Sequence, residues 1–121
     1  YSLSKAAAER IVLGADGACD GRLRTVSLRP AAIFGEGETR HLPRVVMLMG
    51  WGAGLVAFGD ARATQDWLYI DNLVLALLCA CRALREDAQR VGGRAYFVND
   101  NEPVNSQALL GGFARALGFR A

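Results

Sequence analysis

An α/β fold is predicted by three features of the sequence. Segments with the apolar period of a helix alternate with short β-branched or aromatic runs that read as strands. Glycine and proline clusters punctuate the segments, and one helix is apolar almost all round. The resulting order is helix–strand–loop–helix–strand–strand–helix–strand–helix, an alternation that argues α/β. At 121 residues and 52% hydrophobic content, the chain can build one small core but not two independent domains.

From the start, Leu3, Ala6, Ala7, Ile11 and Val12 against Lys5, Glu9 and Arg10 predict an amphipathic helix over Ser2 to Leu13. It should end near Gly14, with Gly17 and Gly21 in the following loop. Leu23 to Leu28 reads as a strand closing at Arg29-Pro30, because proline cannot donate to a ladder. Ala31 to Phe34 can stay extended. Gly35 to Thr39 is a glycine-rich loop whose two carboxylates make it a poor phosphate cradle. Leu42-Pro43 opens a helix that Gly50, Gly52 and Gly54 stop. Leu55 to Phe58 reads as a short strand running into a turn at Gly59-Asp60.

Asp66 to Ile70 is strand-like, and Asp71 is placed to cap a long helix over Asn72 to Arg85. That helix is so apolar before Arg82 that cover on more than one side is expected. Glu86 to Arg94 reads as a polar loop, Ala95 to Val98 as a strand, and Asn99 to Pro103 as a turn. Asn105 caps a final helix through Leu109, Leu110, Phe113 and Leu117. No repeat, low-complexity segment or linker interrupts the order.

The charge balance of +2 comes from scattered single basic residues, which argues against nucleic acid as a partner. Three cysteines (Cys19, Cys79, Cys81) cannot all pair and point to a reduced, intracellular compartment. The lone His41 has no neighbour at ligand spacing, so no metal site is predicted. The longest apolar run, Leu73 to Cys81, is about half of the ~20 residues a membrane span needs. The chain opens on Tyr1 inside a helical pattern, and a piece of a longer protein is expected.

The stretch with the clearest chemistry is Tyr1-Ser-Leu-Ser-Lys5. Residues four apart share a helix face, so the phenol and the ammonium can point into one cleft. A phenol titrates near ~10, and a lysine cation beside it favours the phenolate. Such a pair can move a proton to or from a substrate hydroxyl or carbonyl oxygen. Lys5 is the single lysine, against thirteen arginines.

Four motifs in order resemble the extended short-chain dehydrogenases/reductases, and among them the 3β-hydroxysteroid dehydrogenase/isomerase family and its sterol-dehydrogenase relatives. They are Tyr1 to Lys5 with Glu9 in the next turn, Leu28 to Gly37, Asp66 to Asn72 and Ala95 to Asp100, so the resemblance runs essentially the full length. It implies the C-terminal portion of an NAD(P)-binding Rossmann-like fold with a small substrate-binding lobe, a single partial domain over 1–121. Tyr1 matches the general acid–base, and Lys5 the lysine that lowers its pKa and bonds the nicotinamide ribose. Pro30 matches the proline beside the nicotinamide carboxamide, with Ala31 to Ile33 lining that side; Pro30 also serves as a strand terminator. Asp71 and Asn72 match a helix-capping motif. Asp100 and Glu102 read better as a turn before Pro103 than as a catalytic pair.

The implied reaction is NAD- or NADP-dependent oxidation of a 3β-hydroxyl on a small hydrophobic substrate, a steroid or sterol. In the superfamily's nucleotide-sugar epimerases the position of Gln65 is usually a phosphate-gripping arginine, which disfavours that alternative, although Arg62 lies near. Leu48, Met49, Trp51, Leu55 and Trp67 suit an apolar ligand, or ordinary core. The family's Gly-x-x-Gly-x-x-Gly turn for the dinucleotide pyrophosphate is missing from the sequence, as is the upstream Ser/Thr. Two expectations follow: the chain alone exposes apolar surface, and it is catalytically silent by itself, or serves as an interaction remnant. The resemblance leaves a homodimer open, and also residence in the cytoplasm or membrane association at the cytoplasmic face of the endoplasmic reticulum.

Overall fold

The computed structural model describes residues 1–40, 42–51, 60 and 62–119. They form five helices and six strands in a mixed α/β arrangement, and the chain divides into two compact units. The first is built from Tyr1–Ala31 and Ile70–Val98, the second from Ala32–Tyr69 and Asn99–Ala121.

In the first unit, β1 (Val26–Pro30) and β5 (Arg94–Val98) pair in parallel, Val26 opposite Arg94 and Pro30 opposite Val98. A parallel pair needs a crossover connection, and α3 (Ile70–Glu86) followed by the short α4 (Ala88–Val91) leads back into β5. Successive strand residues face opposite sides. Ser27 and Arg29 therefore reach α1 (Ser2–Gly14), while Val26 and Leu28 line a groove with α3. The unit is a thin layer of two strands between helices. The groove, about 500 Å³, is walled by Val26, Leu28 and Tyr96 against Ala76, Cys79 and Ala83.

In the second unit, β2 (Ala32–Phe34) pairs in parallel with β4 (Trp67–Tyr69), and β3 (Thr64–Gln65) pairs antiparallel with β6 (Val104–Asn105). Helices α2 (Leu42–Gly50) and α5 (Ser106–Ala116) complete it. Leu68 on β4 is fully buried, and Met49 and Ala114 are buried with it. Burying a leucine fully is worth about 1.5–3 kcal/mol. Phe34 meets Trp67 and Tyr69 edge-on, with ring centroids 6.0 and 5.4 Å apart.

Several sequence expectations need correction. The strand expected from Leu23 starts at Val26, because Arg24 and the Thr25 amide are bound to Asp16. The Asp66–Ile70 run is not one strand: Thr64–Gln65 forms β3, Trp67–Tyr69 forms β4, and Ile70 already belongs to α3. Asp71 therefore sits inside the first turn of α3, where its charge complements the helix dipole, and is not the N-cap. The loop expected over Glu86–Arg94 contains α4, capped by the Asp87 carboxylate, which accepts from the Arg90 amide. Helix α3 was expected to be covered on more than one side. It has no buried residue, with Leu75 59% and Leu78 64% exposed, since it packs on β1 and α4. The strand expected at Leu55–Phe58 lies outside the described residues, as do Gly52, Gly54 and His41.

Candidate functional site

The N-terminal end of α1 carries the Tyr1–Lys5 pair. The helix starts without a side-chain cap. Its first turn closes instead on the Tyr1 carbonyl, which accepts from the Lys5 amide at 3.0 Å and from Ser4 Oγ at 2.7 Å. The i, i+4 spacing then puts the Lys5 ammonium 5.9 Å from the centroid of the Tyr1 ring, within cation–π range. Both side chains are open to solvent, Tyr1 at 94%. A phenol and an ammonium side by side and accessible can share a substrate oxygen and exchange a proton with it.

Polar contacts tie this helix to the strands. The Glu9 carboxylate receives Ser27 Oγ at 2.7 Å, Arg29 Nε at 2.8 Å and Arg29 Nη2 at 2.5 Å. These bonds, those from Arg29 foremost, hold the Glu9 carboxyl down at about 2, below its ordinary 4.5. The same bonds and charge push the Arg29 guanidinium up. The guanidinium also lies over Phe97 on β5, 5.2 Å from its centroid. Past the end of α1, Asp16 accepts from the Thr25 amide at 2.7 Å and from the Arg24 fork at 3.1 and 2.9 Å. The Thr25 bond first, and the Arg24 fork after it, lower the Asp16 carboxyl, although burial works the other way. Arg24 Nη2 also donates to the Ala88 carbonyl at 2.6 Å.

Of the residues singled out in the sequence, Tyr1, Lys5 and Pro30 belong to the first unit and Ile33 to the second. Pro30 is the last residue of β1, and the next amide, Ala31, donates to the Val98 carbonyl at 2.9 Å. Pro30 thus terminates the strand as expected. Ile33 is on β2 and 39% exposed. The Asp100 carboxylate accepts from the Tyr69 amide at 2.8 Å while its own amide donates to the Trp67 carbonyl at 2.9 Å. That supports the turn reading. Glu9, Arg29 and Asp16 are the residues sequence reasoning missed as a group. The signal available was a carboxylate one turn beyond Lys5, on the same side of the helix.

In the second unit a cavity of about 160 Å³ is lined by Phe34, Trp67, Val104, Leu109 and Phe113, with Asp100 and Glu102. Of the apolar residues named for a ligand, Trp67 lines this cavity and Met49 is buried, whereas Leu48 and Trp51 are exposed. Leu55 lies outside the described residues. Gln65 is exposed on β3, and Arg62 is a surface side chain 3.7 Å from Asp60. Among the described residues no cluster could hold a metal ion, and no helix is long and apolar enough to cross a membrane.

The chain is similar to short-chain dehydrogenase/reductase family 42E member 1 of Macaca fascicularis, 41% identical over 98% of this chain and 32% of that protein. It is also similar to 3beta-hydroxysteroid-dehydrogenase/decarboxylase isoform 1 of Arabidopsis thaliana, 32% identical over 98% of this chain and 27% of the other. The chain thus spans about a third of the length of the curated relatives it matches. Among solved structures, the Bordetella bronchiseptica enzyme WbmF in complex with NAD+ superimposes with a TM-score of 0.71. It shares 18% identity, over 100% of this chain and 39% of that one, which establishes part of a Rossmann-like α/β fold. The model of the 3-beta hydroxysteroid dehydrogenase/isomerase family matches residues 1–121, and the chain belongs to that family.

Proposed function

We propose that this chain supplies the acid–base end of an NAD(P)-dependent oxidoreductase that oxidises a 3β-hydroxyl on a steroid or sterol to a ketone. The observation that carries the reading is the Tyr1–Lys5 pair, with the ammonium 5.9 Å from the phenol ring and both groups accessible. The residues present fit the nicotinamide end of such a cofactor. An exposed ammonium and phenol on one helix turn offer partners for ribose hydroxyls, and Pro30 closes β1 in the same unit. The glycine-rich turn that would hold the pyrophosphate is not in this sequence.

When bound, the nicotinamide supplies the hydride acceptor. Tyr1 Oη would take the proton of the substrate hydroxyl. Lys5 would hold the ribose beside the Tyr1 phenol, and Pro30 would contribute an apolar side of the cofactor site in the family pattern. The steroid class is supported by the similarity to the Arabidopsis thaliana enzyme. Gln65, which leaves the phosphate-gripping position without an arginine, supports it further.

Tyr1→Phe tests the assignment in the full-length protein. It is expected to lower turnover of a 3β-hydroxysteroid by at least two to three orders of magnitude. Cofactor binding, followed by the fluorescence of NADH or NADPH, should weaken only by the one hydroxyl partner lost, far less than turnover falls. Turnover at the wild-type rate would remove Tyr1 from the reaction.

A further inference from the structure

Helix α1 has no buried residue; Leu3 and Ile11 are mostly exposed. Its half-buried apolar side chains are Ala7 and Leu13, a small share of the helix, so apolar packing fixes its rotation on the strands only loosely. Among the described residues, the side-chain hydrogen bonds between the helix body and β1 are the three-donor clamp from Ser27 and Arg29 onto Glu9. Tyr1, Lys5 and Glu9 follow one another at four-residue intervals, so they lie along one side of the helix. A rotation of α1 that loosened Glu9 would swing Tyr1 and Lys5 with it. Arg29 meets both carboxylate oxygens through two nitrogens, a geometry that sets direction as well as distance. Its guanidinium is itself placed over the ring of Phe97, its register partner on β5.

We propose that Glu9 is a positioning residue, through which the Ser27–Arg29 clamp on β1 sets the aim of the Tyr1–Lys5 pair. The proposal rests on the acid–base reading of Tyr1 given above. Small misplacements of a reacting group cost large factors in rate, of order 10²-fold for 1 Å. Removing the clamp should therefore lower kcat far more than it changes KM.

The test uses the full-length protein with a 3β-hydroxysteroid and NAD or NADP. Turnover, KM and the thermal midpoint are measured for Tyr1→Phe, Glu9→Gln, Arg29→Lys and the exchange Glu9→Arg with Arg29→Glu. Tyr1→Phe that still turns over sinks the acid–base reading, and this proposal with it. With Tyr1→Phe inactive, Glu9→Gln is expected to lower kcat about tenfold or more with KM within about threefold of wild type. The exchange variant should regain part of that loss, because it restores an inverted pair. Wild-type kcat in Glu9→Gln, or a fall in thermal midpoint with kcat unchanged below it, overturns the proposal. Should Glu9→Gln not fold, Arg29→Lys keeps the charge but loses the fork, and the same two outcomes decide.

Discussion

Glu9 and Asp16 each gather an arginine fork and one further donor, and the two differ in how they answer to pH and to crowding. The Glu9 carboxyl is depressed to about 2 from 4.5, so the unfolded chain binds a proton there before the folded chain does. Its contribution to stability is complete above about pH 4.5 and drains away as pH falls toward 2. Urea midpoints measured from pH 6 down to 2.5 should fall over that window, and Glu9→Gln should flatten the fall; an equally steep profile in the variant would count against the clamp. Asp16 works in tighter quarters. A methyl group added at Gly92 would sit 2.6 Å from the Ala88 carbonyl oxygen and 2.7 Å from Asp16 Oδ2, and against Arg24 Nη2. Gly92→Ala should cost about 1–3 kcal/mol by overpacking, read from denaturant midpoints. A neutral result would mean that the Ala88 backbone and the Asp16–Arg24 fork both yield freely. The sequence displays Tyr1 and Lys5 as a pair because helical spacing is local. It could not display Glu9 with Arg29, 20 residues away, since the bond depends on which strand the helix lies against.

Periodicity carried most of the elements, and tertiary hydrogen bonds moved their ends. Helix α1 and strands β1 and β5 lie where apolar pattern and β-branched runs put them. Strand β1 starts late because Asp16 claims the residues before Val26, and α3 starts early enough to take Ile70 and Asp71 into its first turn. Elements of two to four residues, such as β3, β6 and α4, are too short to show any period, and only a capping residue like Asp87 could have signalled one. The cap that was legible is Asn105. Its Oδ1 accepts from the Ala108 amide at 2.9 Å and its Nδ2 donates to the Ala63 carbonyl at 3.1 Å. Asn105→Ala should destabilise α5 by about 0.5–2 kcal/mol, the usual range for losing an N-cap. Asn105→Asp keeps the acceptor toward Ala108 and should cost less. Thermal or urea midpoints of the three proteins give the order, and an alanine variant as stable as wild type would show that the cap is dispensable.

At the scale of the whole molecule, the exposed apolar side chains outweigh the buried ones among the described residues. Leu68, Met49 and Ala114 are buried, whereas Leu3, Ile11, Trp51, Leu78 and Phe97 stand largely in solvent, Phe97 at 79%. Composition made this expectation legible only in outline, because 52% hydrophobic content says how much there is to bury and not what lies against it. A parallel pair such as β1–β5 belongs to the class of sheet that is ordinarily covered on both faces. Here Phe97, the register partner of Arg29, carries the Arg29 guanidinium over its ring and is otherwise largely exposed. Exposed apolar side chains in this number favour association. The 121-residue chain, purified by itself, should bind an apolar fluorescent dye under native conditions and should elute from a sizing column at a mass that rises with concentration. Phe97→Lys replaces that ring by a charge and also leaves Arg29 facing a like charge. Phe97→Gln removes the ring without adding one, and is the cleaner variant. It should lower dye binding and shift the elution toward monomer while helical circular dichroism is retained. A wild-type chain that stays monomeric and dark at tens of micromolar would show that these side chains are covered in solution.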